Sequence, residues 1–190
     1  MSLQVLVLSE DPTLDQHILK PIVEKLFDDL GRRARVVVHE PPRGRSRGVD
    51  KALDRQNLES IFEDFPFVRL FILLVDRDCH PTRTAAVEAI VQEHADRLVA
   101  CLAVEEVEVW MLALHRADLG APWTEVRKEC HPKERFATPF LKKRGWTMEL
   151  GRGRRRAMQD LGAQWAGLLQ VCPEIARLRD ELTVFLTKTP

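Results

Sequence analysis

Short apolar runs alternate with longer amphipathic stretches through the first half of the chain. The runs that predict strands span residues 3–8, 34–39, 68–75 and 97–104. Between them, apolar residues recur three or four positions apart, which predicts helices over 13–30, 51–65 and 82–95. Thr13 is the expected N-cap of the first helix, and Pro21 predicts a kink in it. Strands alternating with helices predict an α/β fold, with a mostly parallel sheet of about four strands covered on both faces.

From Glu105 onward the hydrophobic pattern is helical to the end of the sequence. The predicted helices span residues 106–115, 123–129, 133–143, 154–169 and 173–186. No clear linker separates these helices from the strands, and the sequence has no internal repeat. We therefore expect an α/β core over residues 1–116, with a helical extension over residues 117–190 packed on it.

The composition is that of an ordinary globular protein, with 45% hydrophobic and 31% charged residues among 190. The formal net charge is zero, so any attraction to nucleic acid must come from local basic patches. No apolar run reaches the length of a membrane span, and the N-terminus lacks the features of a signal peptide. The cysteines show no paired disulfide spacing, which favours a reducing compartment. We therefore expect a cytoplasmic protein without membrane contact.

Carboxylates follow two of the predicted strands at the point where each strand ends. Glu10 follows the first strand, and Asp76 and Asp78 close the third. Because side chains alternate along a strand, Asp76 and Asp78 should point to the same side, roughly 7 Å apart. Ligands bind at the carboxyl ends of strands in open α/β sheets, and clustered carboxylates favour a hard cation such as Mg²⁺. A solvated turn is the alternative, because Asp is common where strands stop.

A second acidic group follows the fourth strand and extends the same predicted rim. Its members are Glu105, Glu106 and Glu108, and Asp11 beside Glu10 could add a further ligand. Acidic residues in a first helical turn are also favoured by the helix dipole, so capping is the alternative role.

These motifs resemble the Toprim domain, which occurs in topoisomerases, primases, recombination-repair proteins and overcoming-lysogenization-defect nucleases. The resemblance begins with the glutamate that ends the first strand and the D-x-D that ends a later one. Residues 103–113 are similar to the E-x-E-A-W-L-L-A segment of small, mostly uncharacterised bacterial Toprim-like proteins. Residues 133–145 and the closing Cys172-Pro173 with Phe185 are also similar to that group.

The resemblance implies Mg²⁺ or Mn²⁺ held by Asp76 and Asp78, with Glu10 as a ligand or as an acid/base. It implies phosphodiester chemistry on nucleic acid, most simply nuclease action in phage defence or repair. The chain departs from the family pattern at Asp11-Pro12, where a glycine is usual, and at Val109, where a small residue is usual. The alternatives are a non-catalytic metal- or nucleotide-binding module and an interaction protein that docks a partner or a second copy.

Basic residues are concentrated in one segment of the predicted extension. They are Lys142, Lys143, Arg144, Arg152, Arg154, Arg155 and Arg156. Such a patch can neutralise phosphates, and Trp146 could stack on an exposed base. Arg43, Arg45 and Arg47 form a second basic loop. A solvated loop and helix start is the equally weighted alternative.

The tripeptide Cys-His-Pro occurs twice, at residues 79–81 and 130–132. The two Cys-His pairs could supply a Cys₂His₂ zinc site, but adjacent ligands are not the usual zinc spacing. We favour a buried Cys79 with His80 near the acidic edge. His39, at the end of the second strand, is either a rim residue or a strand cap.

Overall fold

Four parallel strands form the sheet of the protein. The computed structural model describes residues 2–41 and 48–188. The strands are β1 (Leu3–Leu8), β2 (Ala34–Val38), β3 (Leu70–Asp76) and β4 (Leu98–Ala103). Their order is β2-β1-β3-β4, and every neighbouring pair is parallel. This confirms the predicted α/β class, and it places β1 and β3 side by side at the centre of the sheet.

Helices connect the strands and continue after the last one. Those between strands are α1 (Pro12–Asp29), α2 (Val49–Ala52), α3 (Arg55–Asp64) and α4 (Arg83–Glu93). Those after β4 are α5 (Glu108–Ala113), α6 (Trp123–Val126), α7 (Thr138–Lys143), α8 (Arg154–Ala157), α9 (Leu161–Val171) and α10 (Pro173–Lys188). A π-helical turn, Lys133–Ala137, leads directly into α7.

The sheet has an apolar core on each face because its strand residues alternate sides. Val5 and Val7 of β1 join a core with α1, α5 and the C-terminal helices. Leu6 and Leu8 face a smaller core built with α3 and α4. The helical extension therefore shares the larger core with α1 rather than forming a separate one.

Several helix boundaries differ from the predicted ones for local reasons. The first helix begins at Pro12, and Asp11 rather than Thr13 is its N-cap, accepting the Thr13 N–H at 3.0 Å. Proline fits the first turn because the amide it lacks would have no helical partner there. The helix predicted over 51–65 is two helices, because Asp54 caps a new start by accepting the Asn57 N–H at 2.8 Å. The helix predicted over 154–169 is likewise split into α8, a 3₁₀ turn and α9.

Candidate functional site

Glu10 and Asp76 meet at the carboxyl ends of the two central strands. The register pairs Leu8 of β1 with Leu73 of β3, so both strands end at the same edge. Glu10 Oε1 accepts a hydrogen bond from the Asp76 backbone N–H at 2.9 Å. Asp76 Oδ1 accepts one from the Val107 N–H at 2.8 Å, which ties in the segment after β4. The structure thus brings these two predicted residues together.

Asp78 lies in a turn rather than in the strand. The strand ends at Asp76, and Asp78 and Cys79 have positive φ angles of 47° and 54°. The alternation that we used to place Asp78 relative to Asp76 was therefore wrong, because it holds only within a strand. Arg83 donates to Asp78 Oδ2 at 2.7 Å and to the Asp76 carbonyl at 2.8 Å. A guanidinium from α4 thus compensates the second aspartate.

Burial and mutual repulsion disfavour negative charge at this edge. Burial raises the pKa of Asp76 well above its usual value, and the charges of Glu10, Glu108 and Asp15 raise it further. Burial also raises the pKa of Glu10; the Asp76 N–H opposes this, while the charge of Asp78 adds to it. A proton or a cation would relieve this repulsion, and perturbed carboxylates of this kind concentrate at functional sites.

Further buried charged groups lie close enough to Asp76 for their charges to raise its pKa. Glu108 is 1% exposed, and Arg154 Nη2 lies 2.5 Å from its Oε1 while Lys133 Nζ lies 3.8 Å away. Burial raises the pKa of Asp15 to about 7, assisted by the charges of Glu108 and Asp11. Lys133 carries positive charge into the same group and lowers the pKa of Asp15.

Sequence reasoning missed Asp15 and Lys133 as site residues. Asp15 lies in the buried stripe of α1 that contains Ile18, Leu19 and Ile22. A lone carboxylate at that helical spacing is a signal visible in the sequence, because a buried charge requires a specific environment. Lys133 has no comparable signal, since its position depends on how the extension packs.

The residues of the predicted acidic rim have separate roles. Glu105 accepts the Cys79 N–H at 2.6 Å and pairs with Arg77. Burial acts to raise the pKa of Glu105, but the hydrogen bonds from Arg77 and Cys79 outweigh it and lower the pKa. Glu106 Oε2 accepts the Lys133 N–H at 2.7 Å, and burial raises its pKa to about 7. Asp11 caps α1, so Glu105 and Asp11 stabilise the turns around the site.

Cys79 and Cys130 form a disulfide, with their Cα atoms 5.6 Å apart. The prediction of unpaired cysteines was wrong for this pair, because a separation of 51 residues gives no spacing signal. Cys79 is exposed rather than buried, while Cys101 and Cys172 are free and buried. The two Cys-His-Pro segments do meet, but sulfur atoms bonded to each other cannot serve as zinc thiolates, so the Cys₂His₂ arrangement is excluded in this state.

One compact group of metal-ligating atoms occurs within residues 2–41 and 48–188. Glu106, His131 and Glu134 each offer one ligand atom, and these atoms all lie within 4.8 Å of one another. Glu10, Asp76 and Asp78 share an edge but do not form a group this tight.

The predicted basic patch is divided by the fold. Lys142, Lys143, Arg152, Arg155 and Arg156 are exposed. Arg144 is also exposed, but it pairs with Asp118 at 2.5 Å. Arg154 is 4% exposed and is occupied by Glu108, so it does not face solvent with the others. Trp146 is half-buried and packs edge-on against Phe140 and His115, while the guanidinium groups of Arg144 and Arg156 lie 5.7 Å and 6.0 Å from its ring centre. Arg43, Arg45 and Arg47 lie outside the described residues.

A small cavity adjoins Glu10 on the β2 side. It has a volume of about 40 Å³ and is lined by Ser9, Glu10, His39 and Lys51 among others. The Ser9 hydroxyl is buried and has no hydrogen-bond partner within the part of the chain that the structure describes. Because His39 lines this cavity together with Glu10, it belongs to the rim at the carboxyl edge of the sheet. The other histidine predicted near this edge, His80, is exposed.

Comparisons with protein-family models, with curated proteins and with solved structures found no match for this chain. No helix in the described ranges has the length and apolar character needed to cross a bilayer. What the structure shows is an α/β fold with a four-stranded parallel sheet, interleaved helices and a helical C-terminal part.

Proposed function

We propose that this chain is a Toprim-like protein that performs Mg²⁺- or Mn²⁺-dependent phosphodiester chemistry on nucleic acid. The proposed activity is nuclease-like and belongs to phage defence or repair. The observation that carries the proposal is the hydrogen bond between Glu10 and the Asp76 backbone at the carboxyl ends of β1 and β3, with the pKa of both carboxyl groups raised.

The donor set fits a hard divalent cation. Carboxylate oxygens are the ligands that Mg²⁺ takes from proteins, and Mn²⁺ suits the same oxygens. The hydrogen bonds described above engage Glu10 Oε1, Asp76 Oδ1 and Asp78 Oδ2, one oxygen of each group. Asp76 and Asp78 would hold the ion, with Glu10 as a further ligand or as the acid/base. The ion would supply polarisation of a phosphoryl oxygen and stabilisation of charge on the attacking and leaving oxygens.

The chain itself supplies proton transfer and phosphate contacts. Burial raises the pKa of Glu10, which suits a carboxyl group that must both accept and release a proton. Arg155 and Arg156 are exposed on α8, the helix whose Arg154 reaches Glu108. A phosphate backbone that crosses α8 would contact these arginines.

A non-catalytic binding or interaction module is the second candidate, and Arg83 favours it. Its guanidinium bonds Asp78 and the Asp76 carbonyl, so the chain already provides one positive charge at this edge. A protein with the Toprim-like fold that uses this arginine in place of a metal cation would bind a nucleotide, a protein partner or a second copy of itself. It would not cleave nucleic acid. The proline at position 12, where Toprim proteins usually follow the glutamate with glycine, also argues for weak activity at best.

Replacement of Glu10 separates the two candidates. We expect Glu10→Gln to abolish Mn²⁺- or Mg²⁺-dependent cutting of DNA or RNA while binding persists, because the role of the carboxylate is chemical. Glu63→Gln, at an exposed position on α3, is the matched control and should cut like wild type. Salt-dependent binding without any cutting by wild type would support the module. If wild type neither binds nor cuts nucleic acid at low salt with metal present, docking of a protein partner would remain as the candidate function.

We propose a cytoplasmic setting, where nucleic-acid substrates are present. The Cys79–Cys130 disulfide counts against this setting, because cytosolic proteins normally keep their thiols reduced.

A further inference from the structure

We propose that Glu106, His131 and Glu134 form a second metal site, which takes a divalent transition-metal ion such as Zn²⁺. The site is separate from the Glu10–Asp76–Asp78 centre and does not depend on the function proposed for it. It is also distinct from the Cys₂His₂ arrangement, since its ligands are one imidazole and two carboxylates.

The three ligands are positioned by different parts of the fold. Glu106 follows β4 and is fixed by the Lys133 N–H, which donates to its Oε2 at 2.7 Å. His131 directly follows Cys130, whose disulfide anchors this loop, and its own N–H donates to Glu129 Oε1 at 3.1 Å. Glu134 lies in the π-helical turn, a distortion that is frequent at functional sites.

The distances are within reach of a real coordination sphere. The ligand atoms lie within 4.8 Å of one another, and zinc bonds of about 2.1 Å would require ligand separations of about 3.4 Å in a tetrahedron. Glu106 is buried, whereas His131 and Glu134 are exposed. One ligand is therefore fixed, and the other two can close the gap by side-chain rotation at little cost.

The charges and donor types select the class of ion. Two carboxylates and a neutral imidazole balance the charge of a divalent cation. An imidazole ligand favours Zn²⁺ and other transition metals over Mg²⁺. Arg135 pairs with both Glu125 and Glu129, so these nearby carboxylates are already engaged. Three protein ligands would leave a fourth position for water or an anionic ligand, which is the arrangement of open zinc sites.

Calorimetric titration of the disulfide-bonded protein of 190 residues with Zn²⁺ tests the proposal, in non-reducing buffer with saturating Mg²⁺. We expect wild type to bind one equivalent of zinc. We expect His131→Ala and Glu134→Gln each to weaken binding by more than about tenfold, because losing even a group that only hydrogen-bonds a metal ligand lowers metal affinity by about that factor. His80→Ala and Glu149→Gln replace exposed residues of the same types and should bind like wild type. Co²⁺ should give a visible absorption spectrum that His131→Ala loses.

Thermal unfolding of each variant checks that the exposed substitutions leave the fold intact. Zinc binding by wild type that His131→Ala does not weaken would overturn the proposal. So would equal losses in His80→Ala and His131→Ala, or zinc uptake that appears only after reduction, which would indicate cysteine ligands. Absence of binding to wild type would also overturn it.

Discussion

Asp15 shows how one buried carboxyl group is coupled to the site. It lies on the apolar stripe of α1, 7% exposed, and accepts the Asp11 N–H at 3.3 Å. The charges of Asp15 and Glu108 both raise the pKa of Asp76. Because the buried charge of Asp15 raises the pKa of Asp76, α1 contributes electrostatics to the site as well as packing.

Replacement of Asp15 should change the dependence of stability on pH. Its pKa is about 7 in the folded protein against 3.8 as the ordinary value, so the folded state binds the extra proton between these limits. Stability contributed by the protonated form is therefore lost as pH rises from about 4 to about 7. We expect Asp15→Asn to be more stable than wild type near pH 8 and similar near pH 4, by urea unfolding with chelator present.

Asp28→Asn is the control for Asp15, because Asp28 is exposed on the same helix. It should follow the wild-type pH dependence. An Asp15→Asn variant whose stability difference from wild type stays constant across this pH range would show that Asp15 is ionised in the fold.

At the scale of elements, apolar runs predicted the strands well and the helix boundaries less well. β1 occupies the predicted residues, because a fully buried strand of a parallel sheet is apolar on both faces. The break before α3 depends on a single capping aspartate, Asp54, inside an otherwise helical pattern. Residues 78 and 79 were misplaced because a left-handed turn after a strand has no hydrophobic signature.

The disulfide shows why part of the site was beyond sequence reasoning. It joins the turn after β3 to the loop before the π-helical turn, and these segments are adjacent only once the helical extension has packed. The convergence of Glu10 with Asp76 could be predicted, because strand ends share an edge. The placement of His131, Lys133 and Glu134 could not, because it follows from the packing of helices without a sheet register.

Removal of the disulfide should destabilise the fold. Closing a loop with a sequence separation of 51 residues restricts the unfolded chain, and the expected contribution is about 2–4 kcal/mol. We therefore expect the double variant Cys79→Ser/Cys130→Ser to unfold at lower urea concentration than wild type. Adding reductant should lower the stability of wild type to that of the double variant and leave the double variant unchanged. Insensitivity of wild type to reductant, with the bond shown to be reduced, would contradict this expectation.

At the scale of the whole molecule, a chain of zero net charge carries both an acidic edge of the sheet and an exposed basic segment. The carboxylates lie at the carboxyl edge of the sheet, and the exposed residues Arg152, Arg155 and Arg156 lie on the segment whose Arg154 contacts Glu108. An acidic edge that takes a cation, together with a basic segment elsewhere on the surface, suits a polyanionic ligand. The alternative partner, another protein or a second copy of this chain, does not require a basic segment.

Nucleic-acid binding should depend on this basic segment and on salt. We expect the triple variant Arg152→Ala/Arg155→Ala/Arg156→Ala to bind DNA or RNA more weakly and with a shallower salt dependence, because fewer counterions are released. Fluorescence anisotropy at several salt concentrations measures both. Arg32→Ala/Arg33→Ala changes exposed arginines at the opposite edge of the sheet and should bind like wild type. Equal losses in both variants would indicate nonspecific charge attraction.

Calorimetric titration with Mg²⁺ and Mn²⁺ tests the central claim most directly. Wild type should bind Mg²⁺ or Mn²⁺. Asp76→Asn and Asp78→Asn should bind the same ion much more weakly, because an amide lacks the charge that holds a hard cation. The stability of Asp76→Asn should stay the same or rise, since clustered like charges are relieved, whereas Asp78→Asn also loses the ion pair with Arg83. Asp64→Asn, at an exposed position on α3, should match wild type. Identical binding by wild type and both site variants would show that these aspartates do not hold the ion.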